Sequence, residues 1–235
     1  MLTNGKDFYT VDCRQRGETV EVLEKNTYKD LVVKQIYHMI LNGEMNSGDR
    51  VVESSLSKNL GISRAPVREA LRELITEGIL KYKPQVGYYV TEITKEQILD
   101  TYETRGLLEG YAIRTALDLF SGNDLDNLKK YIDDMEFFAY EGEHLKFIEA
   151  GGKFHEYMFC KSPNIELVEF TKKLSHKSHI FFNKYWMKIY SPENIRKRHE
   201  CIIDTICKKD GGMLETVIRD HYMSTAAKIS EVIQK

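Results

Sequence analysis

The segment from residue 61 to residue 78, "GISRAPVREALRELITEG", constrains the fold more than any other stretch of this 235-residue chain. Gly61 interrupts the preceding pattern, and Ser63 can cap a new helix. Pro66 falls in the first helical turn, where its missing N–H is not needed. The apolar positions then recur at helical spacing, and they are Val67, Ala70, Leu71 and Leu74. The pattern predicts an amphipathic helix that follows a tight turn and ends at the closing glycine.

The flanking segments extend this helix into a larger motif. Residues 53–60 can form two helical turns, and an earlier helix is predicted from Thr27 to about Gly43. After residue 78, "ILKYK" and "GYYVTEI" are typical of two short strands joined by a "PQVG" turn. Residues 27–93 therefore predict a winged helix-turn-helix with a small two-stranded wing. In that fold the second helix of the motif enters the major groove of DNA.

Three arginines lie on one side of the predicted recognition helix. Arg64, Arg68 and Arg72 are spaced by four residues, so each is rotated by about 40° from the last and together they form a stripe. The first two are placed to reach guanine or phosphate, whereas Arg72 is placed to pair with an acid or contact the DNA backbone. The alternative is a solvated helix whose arginines pair with neighbouring glutamates. The chain has a net charge of −2, so any DNA contact depends on where charges are placed.

The rest of the chain predicts a bundle of six to seven helices. Amphipathic stretches occupy residues 94–120, 123–141, 143–161, 164–190, 192–209 and 212–234. We therefore expect a mostly α protein, with an all-helical effector-binding and dimerisation domain over residues 94–235. The polar residues 1–26 are predicted to form a flexible arm. No secretory signal and no membrane-length apolar run are present, so we expect a cytoplasmic protein.

The N-terminal motif resembles a known family. The string "LSKNLGISRAPVREALRELITEGIL", followed by "GYYV", is similar to the DNA-binding domain of GntR-family bacterial transcription regulators. The resemblance implies that four residues of the helix-turn-helix and one wing glycine face DNA, and these are Ser63, Arg64, Ala65, Arg68 and Gly87. Many members carry an arginine early in the helix before the turn, where this chain has Ser54.

The helical half resembles the FadR-type ligand-binding domain, called FCD. Its motifs are "YETRGLLEGYAIRTAL", "KFHEYMF", "RHECIIDTI" and "IRDHYM", in that order. The resemblance implies a ligand-responsive, DNA-binding transcription regulator that acts as a homodimer on a near-palindromic double-stranded DNA operator. Most such regulators are repressors released by a small organic acid.

Three histidines on different predicted helices form a candidate metal site. A bundle can direct His155, His199 and His221 to one point, and imidazole suits zinc or nickel. In FCD members that bind metal, an aspartate four residues before the first histidine is a further ligand, and this chain has Gly151 there. Three outcomes stay open: a tri-histidine site completed by water or effector, a weaker site, or no metal.

Arg105 is the candidate effector-binding residue, because the resemblance assigns its helix to the effector cavity and a guanidinium can hold a carboxylate at two points. The alternative is an exposed pair with Glu109, one helical turn away.

The sequence is compatible with two other classes of function. One is a metal-dependent hydrolase or lyase built around the three histidines, although no H-E-x-x-H, nucleophile motif or general base accompanies them. The other is a structural DNA-binding protein without an effector. We expect no enzyme.

Overall fold

The computed structural model describes residues 27–233, and they form two compact units, 27–94 and 95–233. Helices dominate both units, as predicted. The predicted arm, residues 1–26, lies outside the described residues.

The N-terminal unit is a winged helix-turn-helix. Its elements are α1 Tyr28–Leu41, β1 Arg50–Val51, α2 Glu53–Leu60, α3 Arg64–Thr76, β2 Leu80–Lys83 and β3 Gly87–Val90. The strands form one antiparallel sheet in the order β1-β3-β2. The predicted wing hairpin is β2–β3, and β1 adds a third short strand beside it.

Local chemistry sets the limits of these helices. Thr27 and Asp30 form a reciprocal capping box at the start of α1. Gly61 adopts a left-handed conformation with φ +65°, which glycine adopts without strain and which turns the chain between α2 and α3. The inner face of α3 then packs against α1, and the side chains that are fully buried there are Val32, Ile36, Val67, Ala70, Leu71 and Leu74.

The C-terminal unit is the predicted all-helical domain, with six α-helices. They are α4 Lys95–Thr115, α5 Gly122–Tyr140, α6 His144–Phe159, α7 Ile165–Ile189, α8 Pro192–Lys208 and α9 Gly211–Ile233, with one 3₁₀ turn at Leu117–Leu119. None of the helices within residues 27–233 has the length and apolar character that crossing a bilayer requires.

Helices α4 and α9 form the closest pair in this unit. Gly106 and Gly110 lie one turn apart on α4, and a Cβ at Gly106 would stand 3.1 Å from the Cα of Arg219. A Cβ at Gly110 would stand 3.3 Å from the Cα of Glu215. The two backbones are therefore in near contact, which carries the residues of both helices to the same interior cavity.

Candidate functional site

A cavity of about 60 Å³ lies inside the helical unit. Five helices contribute polar side chains to its wall, and aromatic and aliphatic side chains fill the rest. The polar residues on this wall are Tyr102, Arg105, His155, Ser178, His179, Tyr190, Arg198, His199, His221, Tyr222 and Thr225.

The three histidines predicted as metal ligands meet at this cavity. His155 comes from α6, His199 from α8 and His221 from α9. Their ring centroids are 4.9 to 5.5 Å apart, and one ring nitrogen of each lies within 4.8 Å of the others. A metal ion between such atoms would need only small side-chain movements to reach the ordinary Zn–N distance of about 2.0–2.1 Å.

Hydrogen bonds orient two of these rings. The Nδ1–H of His199 donates to the carbonyl oxygen of Ile195 at 2.7 Å, which leaves Nε2 with its lone pair. Nδ1 of His155 lies 2.6 Å from a carboxylate oxygen of Glu109, which favours the same tautomer. Both contacts are of the kind that usually supports a metal-binding histidine.

Burial keeps the three rings neutral. It lowers the pKa of His199 to about 3, with nearby His155 as the next cause. The pKa values of His155 and His221 are lowered by burial too, with the positive charge of Arg198 contributing to both. Neutral imidazoles are the form that binds metal, so the donor set fits a zinc or nickel ion.

Gly151 lies on the same wall, one turn before His155. A Cβ there would meet Sδ of Met135 at 3.4 Å, an ordinary contact. The wall therefore has room for a Cβ at this position but receives no carboxylate from it.

Arg105 is buried, not exposed, and it belongs to a polar network. Its Nε donates to Glu109 at 3.2 Å, its Nη1 donates to Ser178, and its guanidinium stacks on the ring of Tyr222 at 4.5 Å. The alternative pair with Glu109 is thus formed, but inside the protein, with exposed fractions of 3% and 0%. Nη2 of Arg105 has no hydrogen-bond partner among the described residues.

Glu109 is the anionic centre of that network. It accepts from Tyr222 at 2.8 Å as well as from Arg105 and His155. Burial opposes its ionisation, but the charges and hydrogen bonds of these neighbours outweigh burial and lower its pKa. Glu109 is therefore a carboxylate, and it balances the charge of Arg105.

Arg198 also reaches the cavity, which the sequence analysis did not predict. Its position, immediately before His199 on a helix already assigned to the site, is the signal that could have suggested it. Its guanidinium lies 4.4 Å above the ring of Tyr190.

In the N-terminal unit, the residues predicted to face DNA are at the surface. Ser63, Arg64, Ala65 and Arg68 are all exposed on or just before α3. Ser63 stands at the N-cap position, but its side chain makes no capping hydrogen bond, so its hydroxyl stays available to other partners.

Arg68 is held by an acidic partner from α2. Its Nε and Nη2 donate to the two carboxylate oxygens of Glu53 at 3.1 and 2.8 Å. This two-point contact fixes the direction of the Arg68 side chain, which remains 52% exposed.

Gly87 begins β3 with φ +117°, a conformation that side chains rarely adopt. The guanidinium of Arg50 on β1 lies 3.7 Å from where a Cβ of Gly87 would stand. The wing therefore presents an exposed cation beside its glycine, and the sequence analysis did not identify Arg50.

Comparisons with known proteins agree with this architecture. Residues 28–90 match the model of the bacterial regulatory proteins of the gntR family, and residues 100–224 match the FCD domain. The HTH-type transcriptional regulator YdhC of Bacillus subtilis is 27% identical over 202 residues, which are 86% of this chain and 90% of YdhC. The HTH-type transcriptional repressor RspR of Escherichia coli is 22% identical over 213 residues, 87% of this chain and 91% of RspR.

Among solved structures, E. coli McbR/YncC has the same fold, with a TM-score of 0.75 at 21% identity over 88% of this chain and 99% of McbR. The matched families and relatives are transcription regulators, so the alternative of a tri-histidine enzyme is wrong. One unit carries the DNA-binding motif and the other the FCD fold. The chain therefore belongs to the GntR family of bacterial regulatory proteins, in the branch that carries an FCD domain.

Proposed function

We propose that the protein is a transcriptional repressor whose operator binding is released by a small organic acid. The observation that carries the proposal is the cavity of the FCD unit, where two arginines and three neutral histidines surround a space of about 60 Å³. A wall of this kind binds small anions, and the other unit carries an exposed recognition helix.

DNA recognition is assigned to residues 27–93. Arg64 and Arg68 read base edges or phosphates in the major groove, Ser63 and Ala65 contact the same groove, and Gly87 lets the wing approach the backbone. The exposure of Ser63, Arg64, Ala65 and Arg68 supports the assignment. The operator is double-stranded and near-palindromic, because a two-fold dimer reads two equivalent half-sites.

The homodimer is assigned to the helical unit. Leu107 and Tyr111 lie one turn apart on α4, and their exposed fractions are 52% and 51%. They point away from the α9 contact made by Gly106 and Gly110, so they form an apolar outer face suited to a second copy of the chain.

A divalent zinc or nickel ion is assigned to His155, His199 and His221. Their neutral state, short mutual distances and supporting hydrogen bonds favour a metal. Because Gly151 supplies no carboxylate, the remaining coordination position is left to water or to the effector.

The metal assignment is tested by elemental analysis of the purified protein after incubation with zinc and after chelation. We expect about one ion per chain in the parent protein and a clear loss in His199→Ala. His144→Ala is the matched control, since His144 is an exposed histidine that lies outside the triad. Equal zinc content in His199→Ala and the parent would remove His199 from the ligand set.

The regulatory assignment is tested with DNA selected from a random library by the parent protein. Fluorescence anisotropy should show sequence-specific binding that small carboxylates weaken, because the acid binds one state of the protein better than the other. Binding that no carboxylate alters would favour the structural DNA-binding alternative. Failure to select any sequence would refute the proposed function.

A further inference from the structure

The guanidinium of Arg198 is held by uncharged groups of α9. Nη1 donates to the hydroxyl of Ser224 at 2.9 Å, and Nη2 donates to the carbonyl of His221 at 2.6 Å and to the hydroxyl of Thr225 at 2.9 Å. The ring of Tyr190 covers one face. No carboxylate among residues 27–233 forms an ion pair with it, in contrast to Arg105.

The charges on the cavity wall do not balance. The residues that line it include two arginines and no aspartate or glutamate. Glu109 forms an ion pair with Arg105 and balances its charge. Arg198, which is half-buried, therefore leaves one positive charge beside a largely apolar space, where an unpaired charge is unfavourable.

Two hydrogen-bond donors on the cavity wall, one from each arginine, have no acceptor among the described residues. The Nε–H of Arg198 has no acceptor among the described residues. Nη2 of Arg105, which is 3% exposed, has none either. Two guanidinium groups thus present free N–H donors where no protein oxygen accepts them, and a carboxylate is the planar acceptor that such donors match best.

We propose that Arg198 anchors the carboxylate of the effector, and that the effector is a small monocarboxylic acid. This inference rests on the proposed function and assigns the residue that selects the ligand. In the metal-free protein one negative charge suffices, because Arg198 is the one wall cation without a counter-charge among the described residues. The volume of about 60 Å³ holds about four to six water-sized groups, which matches acids between acetate and lactate in size.

The preference for an anionic ligand does not depend on a metal. Without metal the wall carries one excess positive charge, and a divalent ion on three neutral histidines would raise that excess further. An anion is favoured in both cases. Arg105 offers its free Nη2–H to the same carboxylate but adds no net charge, since Glu109 already balances it.

The test uses the full-length protein, titrated calorimetrically with acetate, propionate and L-lactate, once after chelation and once with zinc. Acetamide is the uncharged analogue of acetate. Arg198→Gln removes the charge and keeps hydrogen-bonding groups, and Lys197→Gln removes one charge from an exposed neighbour on the same helix. We expect the best acid to bind Arg198→Gln about 10-fold or more weakly than the parent, and Lys197→Gln to bind like the parent.

Three results of these titrations would overturn the assignment of Arg198 as the carboxylate anchor. Unchanged affinity in Arg198→Gln, or absence of binding by every acid to the parent, overturns the inference. If Arg198→Gln does not fold, the parent protein alone provides the test. Equal affinity of the parent for acetate and acetamide would also overturn the inference. Operator binding is measured on the same preparations without acid. Parent and Arg198→Gln should bind DNA equally, so loss of DNA binding in both refutes the proposed function separately from the anchor.

Discussion

Single residues determine the charge of each candidate surface. Arg68 and Arg105 each have a carboxylate partner, Glu53 and Glu109, whereas Arg198 has none among the described residues. A paired arginine is oriented before it meets its ligand, which lowers the entropy lost on binding. An unpaired one contributes charge that only a ligand can neutralise.

The first prediction concerns the contribution of Arg68 to operator affinity. Arg68→Ala should weaken binding to the selected operator by about 1–3 kcal/mol, because a two-point contact to a base is lost. Arg72→Ala, at another exposed arginine one turn further along α3, should cost less. Anisotropy titrations at one salt concentration measure both. Operator affinity that Arg68→Ala leaves unchanged would rule out base reading by Arg68.

A second prediction concerns zinc affinity and the residue at position 151. Gly151→Asp should raise zinc affinity by about 10-fold, since it adds an oxygen ligand beside His155 and its Cβ is accommodated at 3.4 Å from Met135. Gly151→Ala fills the same space without a carboxylate and should leave the affinity unchanged. Competition with a zinc-binding dye measures the difference. Equal affinities in the two variants would show that residue 151 cannot reach the ion.

The buried histidines predict the dependence of stability on pH. Burial lowers the pKa of His199 to about 3 and that of His176 to about 4, both below the unfolded value of about 6.5. Between about pH 4 and 6.5 the unfolded chain binds more protons, so the free energy of unfolding falls as the pH is lowered. Each of these histidines should remove about 2 kcal/mol at pH 5 relative to pH 7.5.

Trp186, which is buried and the chain's single tryptophan, reports unfolding of the helical unit by fluorescence. Urea titrations of the chelated protein at pH 7.5 and 5.0 therefore measure this effect. His199→Gln should reduce the difference between the two pH values. Equal stability at both would contradict a neutral, buried triad.

At the scale of elements, the contact between α4 and α9 depends on residues that have no side chain. The G-x-x-x-G spacing of Gly106 and Gly110 brings two helix backbones together, and this places Arg105 and Glu109 of α4 against Tyr222 of α9. The close packing of α4 on α9 therefore also sets the geometry of the cavity wall.

Gly106→Ala should destabilise the helical unit by about 1–3 kcal/mol, because its methyl group would press on the backbone of α9 at 3.1 Å. Gly122→Ala is the control, since a Cβ there meets no atom within 4 Å. Urea unfolding followed by Trp186 fluorescence compares them. A Gly106→Ala protein as stable as Gly122→Ala would mean that the helices separate without cost.

At the scale of the whole molecule, regulation requires two binding events in different units to affect each other. The proposed binding of acid at the cavity and of operator at α3 would be coupled if the acid preferred one of two states, and such coupling is reciprocal. The proposed dimer matters at this scale, because its two recognition helices would have to match two half-sites together.

Leu107→Glu should shift the protein from dimer towards monomer, since it places a charge on the apolar outer face of α4. Affinity for a palindromic operator should fall with it. Ile165→Glu, which alters a residue 71% exposed on α7, is the control and should stay dimeric. Sedimentation velocity distinguishes the species, and a dimeric Leu107→Glu protein would move the proposed interface elsewhere.

Much of the fold could be predicted because its signals are local. Apolar spacing, the Thr27 cap and the Gly61 turn act over a few residues, so helix limits and the winged motif followed from the chain alone. The pairing of the third strand, β1, with β3 was not predicted, since pairing joins residues far apart in the chain.

By itself, the sequence determined which residues lie on which helix, and hence that three histidines were available to one interior point. Only the tertiary structure decided what surrounds them. The burial of Arg105 with Glu109, the reach of Arg198 into the cavity and the absence of an acidic residue from its wall depend on five helices that meet in space. Helix periodicity is a local property of the backbone, whereas charge balance in a cavity is the sum of contacts between residues far apart in the chain.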